Sequence, residues 1–293
     1  MFTEMLDNIP ITVLMATYNC GQYILTSINS ILRQSYTNFE LLIIDDGSED
    51  DTETIISSLN SEKIRYIKLK HIGFSAALNY GLKEAKYDWV ARMDADDIAF
   101  PDRLEKEVKL INKSSNDIIF SDAVFFRNKK IQLLNTINTE KEDLKRKIKL
   151  RGHICHPSVL YNRNFILENG GYNVNLDHSE DHELWIRLLN KANFVHLNEF
   201  VLFMRIRDNS LSTKAFKGPV SQIFVFSGIN KPMVEKRLGI FSSMREYLFR
   251  KRAKLKVKYF FWKIWNYGLH CELTGKLEEL DQLNTKNSFK TKI

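Results

Sequence analysis

Residues 1–125 of the chain switch repeatedly between two hydrophobic periods, and that alternation limits the folds open to it. Ile11–Tyr18 (ITVLMATY) is a continuous apolar run that reads as a buried strand. Gly21–Gln34 follows with Ile24, Ile28, Ile31 and Leu32 at helical spacing. Phe39–Ser48 (FELLIIDDGS) reads as a second strand ending in acids and a turn, and Asp50–Leu59 as a short helix. Ile64–Leu69 is a third strand, Ser75–Ala85 a helix, Trp89–Met93 a fourth strand and Ile118–Phe126 a fifth. Pro101 suits the first turn of a helix that Arg103–Ile111 continues. Apolar strands alternating with helices require a mostly parallel α/β sheet covered on both faces.

Ligands of such sheets bind beyond the carboxyl ends of the strands. Three of those ends carry polar groups: Thr17-Tyr18-Asn19, Asp45-Asp46 and Asp94-Ala95-Asp96 with Asp97 beside it. They belong to different strands and should converge on one crevice. Crowded carboxylates repel one another unless a cation is present, and an oxygen-only ligand set suits Mn2+ or Mg2+. Water or a substrate diphosphate would complete the coordination. Taken alone, Asp94–Asp97 also reads as a solvated loop or a cluster capping the helix after Pro101. Asp45-Asp46-Gly47-Ser48 is ordinary turn chemistry as well as a candidate contact for ribose or base. A response regulator also places acids at such a strand end, but this chain continues far beyond a receiver's length.

Later segments are less regular. Glu140–Leu150 reads as a helix, His153–Tyr161 as a strand, Asp181–Asn190 as a helix and Phe194–Ile206 as a paired-strand region. The chain of 293 residues carries a net charge of +7, unevenly placed. Lys231–Ile293 has 15 basic and 6 acidic residues, which leaves the remainder slightly acidic. Arg250–Lys263 (RKRAKLKVKYFFWK) has seven cations and no acid, with Tyr259, Phe260, Phe261 and Trp262 among or after them and Trp265 just beyond. Cations beside clustered aromatics suit an anionic membrane surface, with contact through residues 245–265, or packing on the body or a partner. The clustering argues against nucleic acid, whose grooves take interleaved aromatics. Three scattered cysteines form neither a metal spacing nor a disulfide framework. No signal peptide or membrane-spanning run is read, so the expected location is cytoplasmic or peripheral on the inner membrane face.

Several motifs occur in one order: TYN (17–19), SILRQSYTNFELLIIDDGSEDDT (30–52), GFSAALNYGL (73–82), ARMDADDIAFPDRLE (91–105), HP (156–157), the acids before Trp185, and RIRDNSLS (205–212). Together they resemble the family 2 glycosyltransferases over roughly residues 10–212. The resemblance implies an A-type glycosyltransferase fold, a nucleotide-sugar donor, a divalent cation and inversion at the anomeric carbon. It implies that Thr17, Tyr18 and Asp46 line the nucleotide base and ribose site. Gly73 and Asn79 would lie beneath the nucleotide, Asp94 would contact ribose or sugar, and Asp96 would ligate the metal. Asp181 would be the catalytic base, and opening a helix favours its ionised form. The family usually has a histidine two residues after the arginine of an R-x-H pattern; here Arg207 stands there, which cannot ligate a cation but can grip phosphate. His156 has two readings, a donor or acceptor contact or a buried structural histidine.

The expected architecture is a nucleotide-sugar-binding domain at 1–215 and a basic, aromatic-rich helical extension at 216–293. The expected acceptor is a glycan or lipid-linked hydroxyl in surface polysaccharide synthesis. A sugar-phosphate nucleotidyltransferase would want a Gly-rich, lysine-bearing loop after the first strand, and ATYNCGQY has none. An inactive nucleotide-sugar-binding scaffold fits less well with Asp96 and Asp181 in place.

Overall fold

The first strand shows how the sequence builds two layers of helix on one sheet. In the computed structural model, β1 (Ile11–Thr17) is buried along its whole length. Ile11, Val13 and Met15 face one cluster; Leu14 and Ala16 face the other. The first cluster receives Ile24, Ile28 and Ile31 of α1 (Gly21–Leu32) and Leu104, Val108 and Ile111 of α4 (Arg103–Ile111). The second receives Ala77, Leu78 and Leu82 of α3 (Phe74–Glu84), and Leu184, Trp185 and Leu188 of α6 (Glu180–Leu188). Each fully buried Ile, Leu, Val or Met contributes roughly 1.5–3 kcal/mol, so a charged residue in place of one of these would be felt at once.

The structure describes residues 9–111, 116–128, 130–135, 148, 154–176, 179–207, 275–280 and 282. Among these, β2 (Phe39–Asp45) and β4 (Trp89–Asp94) flank β1 in parallel, and β3 (Ile64–Lys68) pairs parallel with β2. α2 (Thr52–Ser57) bridges β2 to β3. Beyond β4 the order continues through β8 (Val159–Asn162), β6 (Ile118–Arg127), β9 (Phe194–Arg205) and β5 (Ile98–Ala99), with β7 (Lys130–Asn135) paired to β6. β6 and β9 are parallel; β8, β7 and β5 run antiparallel to their partners. This is the mostly parallel, helix-flanked sheet that the sequence implies.

Some elements differ from expectation. His153–Tyr161 is not one strand: His156–Ser158 forms a 3-10 turn, and only Val159–Asn162 extends. Pro157 lacks an N–H and cannot join a ladder, so the strand starts after it. Phe194–Ile206 is a single strand rather than a pair; the polar stretch around Asn198-Glu199 is absorbed as a register shift against β6. α5 (Arg163–Glu168) was not legible from hydrophobic period; the Asn162 side chain caps it by accepting from the Phe165 amide. The expected helix at 140–150 lies outside the described residues apart from Ile148, which is buried in the second cluster.

Most of 216–293 also lies outside the described residues. The stretch 275–280 is helical and returns to the body. Leu277 and Leu280 pack with Ile98, Phe100, Val124, Phe126 and Phe203, and Lys276 sits over the Phe100 ring. Among the described residues no helix is long and apolar enough to cross a membrane.

Candidate functional site

The carboxyl ends of β1, β2, β4 and β9 and the start of α6 meet on one side of the sheet. At the end of β1, Thr17 is buried and Tyr18 is 43% exposed. Asn19 adopts a left-handed conformation there, and its side chain accepts from the Glu49 amide while its own amide donates to the Ser48 hydroxyl. These bonds clip the turn after β1 to the turn after β2. Asp50 adds a third tie, accepting from the Gly21 amide at the start of α1.

At the end of β2 both acids are held by the turn that follows, by β3 and by the loop after β3. Asp45 accepts from the Tyr66 hydroxyl at 2.6 Å and from the Ser48 amide at 2.8 Å. Asp46 accepts from the amides of Ile72 and Gly73, and its carboxylate lies 2.9 Å from His71 Nδ1. His71 in turn stacks on Tyr18, with ring centroids 4.3 Å apart. Gly47 makes this contact possible: its φ is +81°, and a Cβ there would meet the His71 amide nitrogen at 2.9 Å.

The acids after β4 are held differently. Asp94 pairs with the buried Arg92 at 2.6 Å. Asp96 is 8% exposed and lies 2.6 Å from Arg207 Nε, and its backbone carbonyl accepts from Arg205 Nε. Asp97 is fully buried; one carboxylate oxygen accepts the Arg205 amide, and its carbonyl accepts from the Ser27 hydroxyl. Burial, and next to it the charge of Asp94, push Asp96 up to about 6. Burial followed by repulsion from Asp96 and Asp94 pushes Asp97 well above the usual carboxylate range. Cys20 links this cluster to β1: burial raises its thiol, and it feels the charges of both Asp96 and Arg207.

Glu180 and Asp181 open α6. Burial and the neighbouring Asp181 push Glu180 up to about 7. Burial also raises Asp181, opposed by the bond it accepts from the His182 amide at 2.7 Å and by the charge of Arg92. The helix terminus therefore does not outweigh desolvation as the sequence suggests. His156 is buried beneath them: Nε2 lies 2.7 Å from the Tyr172 hydroxyl and Nδ1 lies 3.9 Å from Glu180. Burial, and after it the charge of Arg92, drive its pKa well below the ordinary value, within a buried network that includes Tyr172.

The structure thus brings Thr17, Tyr18 and Asp46 to one rim, and Asp94, Asp96 and Arg207 to the centre, with Asp181 linked to them through Arg92. Asn79 stands apart. Its amide donates to the Tyr172 carbonyl and accepts from the Tyr172 amide, so both ends are committed to holding α3 against that loop. Gly171 allows the approach, since a Cβ there would fall 2.5 Å from the Asn79 oxygen. Arg92, Arg205 and His71 are contributors that hydrophobic patterning passes over. A lone arginine inside the apolar run WVARMD is the signal that could have marked Arg92.

Among the described residues no group of three or more His, Cys, Asp or Glu converges to hold an ion. Asp96 is an oxygen donor of the type a hard cation takes, but it is buried and other oxygens would have to complete the shell. Arg207 already touches one of its oxygens.

Known proteins resemble this chain. The family model described as glycosyl transferase family 2 matches residues 12–170. The chain is 31% identical over 216 residues to the O-antigen biosynthesis glycosyltransferase WbnJ of Escherichia coli, covering 70% of this chain and 83% of that protein. It is 34% identical over 219 residues to an uncharacterized glycosyltransferase of Methanocaldococcus jannaschii, covering 71% and 75%. An uncharacterized glycosyltransferase of Rickettsia felis matches at 31% over 66% of this chain, which spans only 33% of that relative's length. Among solved structures, S. aureus TarS 1-349 in complex with UDP-GlcNAc superposes with a TM-score of 0.61 at 21% identity, covering 70% of this chain and 61% of that one. That likeness is one of fold.

Proposed function

The chain belongs to glycosyl transferase family 2 and is a glycosyltransferase, and on that premise we propose that it transfers a sugar from a nucleotide-diphosphate donor to a hydroxyl by single displacement with inversion. The catalytic unit in this reading is residues 1–215, with 216–293 as an accessory extension. The acceptor is a glycan or lipid-linked oligosaccharide of surface polysaccharide synthesis, in keeping with the O-antigen role in the name of WbnJ. A UDP-linked donor is in keeping with the ligand bound by TarS.

The observation that supports the reading most is that arginines gather the strand-end acids, Asp96 against Arg207 and Asp94 against Arg92, with Asp181 in the field of that same Arg92. In the reaction the acceptor oxygen attacks the anomeric carbon while its proton passes to the Asp181 carboxylate. The bond between that carbon and the diphosphate oxygen breaks, and the nucleoside diphosphate leaves with the electron pair. Tyr18 offers an exposed aromatic face for a base, and Thr17 and Asp46 shape the pocket behind it. Asp94 presents its carboxylate to ribose or sugar, steadied by Arg92. Asn79 acts beneath the nucleotide by fixing α3 rather than by direct contact. Arg207 faces the diphosphate. A Mn2+ or Mg2+ ion held by Asp96 would supply charge compensation to the departing diphosphate.

Residues 245–265, outside the described residues, are the proposed contact with an anionic membrane face, the expected location of a lipid-linked acceptor. A panel of nucleotide sugars with Mn2+ or Mg2+, scored by calorimetric binding and by donor hydrolysis, tests the reading. One donor class should bind, and binding should survive Asp181→Asn while turnover does not. Failure of every nucleotide sugar to bind would remove it.

A further inference from the structure

The segment from Asn169 to Tyr172, between α5 and α6, is gripped from two sides. From α6, Arg187 donates to the carbonyls of Asn169 and Gly171 and pairs with Glu183 one turn earlier. From α3, Asn79 exchanges two hydrogen bonds with the Tyr172 backbone, at 2.7 and 2.8 Å. α3 starts just after Gly73, whose amide donates to Asp46. The segment thus joins the helix that starts beside Asp46 to the helix that Glu180 and Asp181 open.

The Tyr172 side chain carries the link further inward. It is buried, and its hydroxyl lies 3.2 Å from the Tyr161 hydroxyl and 2.7 Å from His156 Nε2. The other ring nitrogen, Nδ1, lies 3.9 Å from Glu180 Oε1. Trp185 of α6 meets the same ring edge-on. Burial and the charge of Arg92 oppose a second proton on this imidazole, so its single proton has to sit on one nitrogen. Nδ1 faces a carboxyl oxygen, which can accept; Nε2 faces a hydroxyl, which can donate. One direction satisfies every group: Tyr161 donates to Tyr172, Tyr172 donates to Nε2, and Nδ1–H points to Glu180.

Resting on the reading of Asp181 as base, we propose that Tyr172 and His156 are its positioning residues. The Tyr172 hydroxyl fixes the His156 ring with its proton on Nδ1. The ring then sets the Glu180 end of α6, and with it the neighbouring Asp181 carboxylate. Neither residue touches the reacting atoms. Their effect comes through placement, where an error of about 1 Å costs on the order of a hundredfold in rate.

Two measurements on the full-length chain test this. The first needs no substrate and no variant. NMR of the histidine ring nitrogens, with His156 assigned through its contacts to the Tyr172 and Trp185 rings, should show the Nδ1-protonated tautomer. An Nε2-protonated ring overturns the proposal. The second is turnover with UDP-GlcNAc, or with whichever nucleotide sugar the panel above selects. Tyr172→Phe, which removes only the hydroxyl, should lower kcat by about 10- to 100-fold and leave donor KM and calorimetric affinity unchanged. His156→Gln should do the same, and the double variant should lose little more than either alone, since both act through one ring. Circular dichroism checks that the variants are folded. A lower melting temperature with unaltered kcat would mean that the network only supports the fold, and the proposal falls. If Asp181→Asn abolishes turnover while Tyr172→Phe leaves it intact, positioning is overturned and the base stands. If Asp181→Asn stays fully active, the base reading itself fails and takes this proposal with it.

Discussion

Asp45-Asp46 and Asp94–Asp97 sit at equivalent places, each just past a buried parallel strand, yet they are held by opposite means. The first pair is satisfied by Ser48 in the turn that follows, by Tyr66 on the adjoining strand, and by His71 and the amides of Ile72 and Gly73 in the loop after that strand. The second group depends on arginines, two of which arrive from the end of β9, more than a hundred residues downstream. Hydrogen bonds from hydroxyls and backbone amides fix the turn and leave little to exchange. Charges that repel one another and are balanced by long, mobile cations make a place where a ligand can substitute for a partner. Residue type and position alone do not separate the two cases.

Substitutions can break or sharpen that contrast. The largest effect is expected at the base: Asp181→Asn should lower turnover about a thousandfold, within the range for general base catalysis, with donor affinity nearly unchanged in calorimetry. Full activity would exclude Asp181 from the reaction. Next, Asp96→Ala should lower Mn2+-supported donor binding by about a hundredfold while thermal stability holds or rises, since it removes a crowded, desolvated carboxylate. Unchanged donor binding would take the metal role from Asp96.

The opposite pattern is expected after β2. Asp45→Ala strands the Tyr66 hydroxyl and the Ser48 amide and should destabilise the protein by about 2–4 kcal/mol in urea unfolding. A drop in donor affinity with no change in stability would erase the distinction between the clusters. Asn79→Ala should behave likewise at about 1–3 kcal/mol, because it releases both backbone groups of Tyr172.

The smallest effect concerns Glu180, which is pushed up to about 7 from an ordinary value of 4.5 by burial and by Asp181. A raised folded value means that the protonated form is favoured by folding. The stabilisation it gives is complete below about 4.5 and is lost as pH rises through about 7. Glu180→Gln should therefore flatten the decline in melting temperature between pH 5 and pH 8, by about 2 kcal/mol at most. A decline as steep as that of the unaltered protein would show that Glu180 is not its source.

Much of this was legible in the sequence because parallel sheets write themselves locally. Buried strands such as ITVLMAT need no polar face, helices such as GQYILTSINSIL announce their period, and strand ends gather the reactive groups. Asp96, Asp181 and Tyr18 could be marked from motif order, but Asn79 could not be recognised as a clamp, because its partner Tyr172 lies 93 residues away. His156 likewise reads either way until Tyr172 and Trp185 are seen to enclose it. Arg163–Glu168 is too short for hydrophobic period to reveal.

The sequence by itself determined the layered α/β architecture and the kinds of chemical group that line its crevice, because burial pattern and residue type are local properties of the chain. Only the tertiary structure decided which acids are occupied by hydroxyls and backbone amides of neighbouring segments and which are balanced by arginines, two of them from the far end of the fold. That decision rests on contacts between segments distant in sequence, where a charge's energy depends on what surrounds it and not on the residue that bears it.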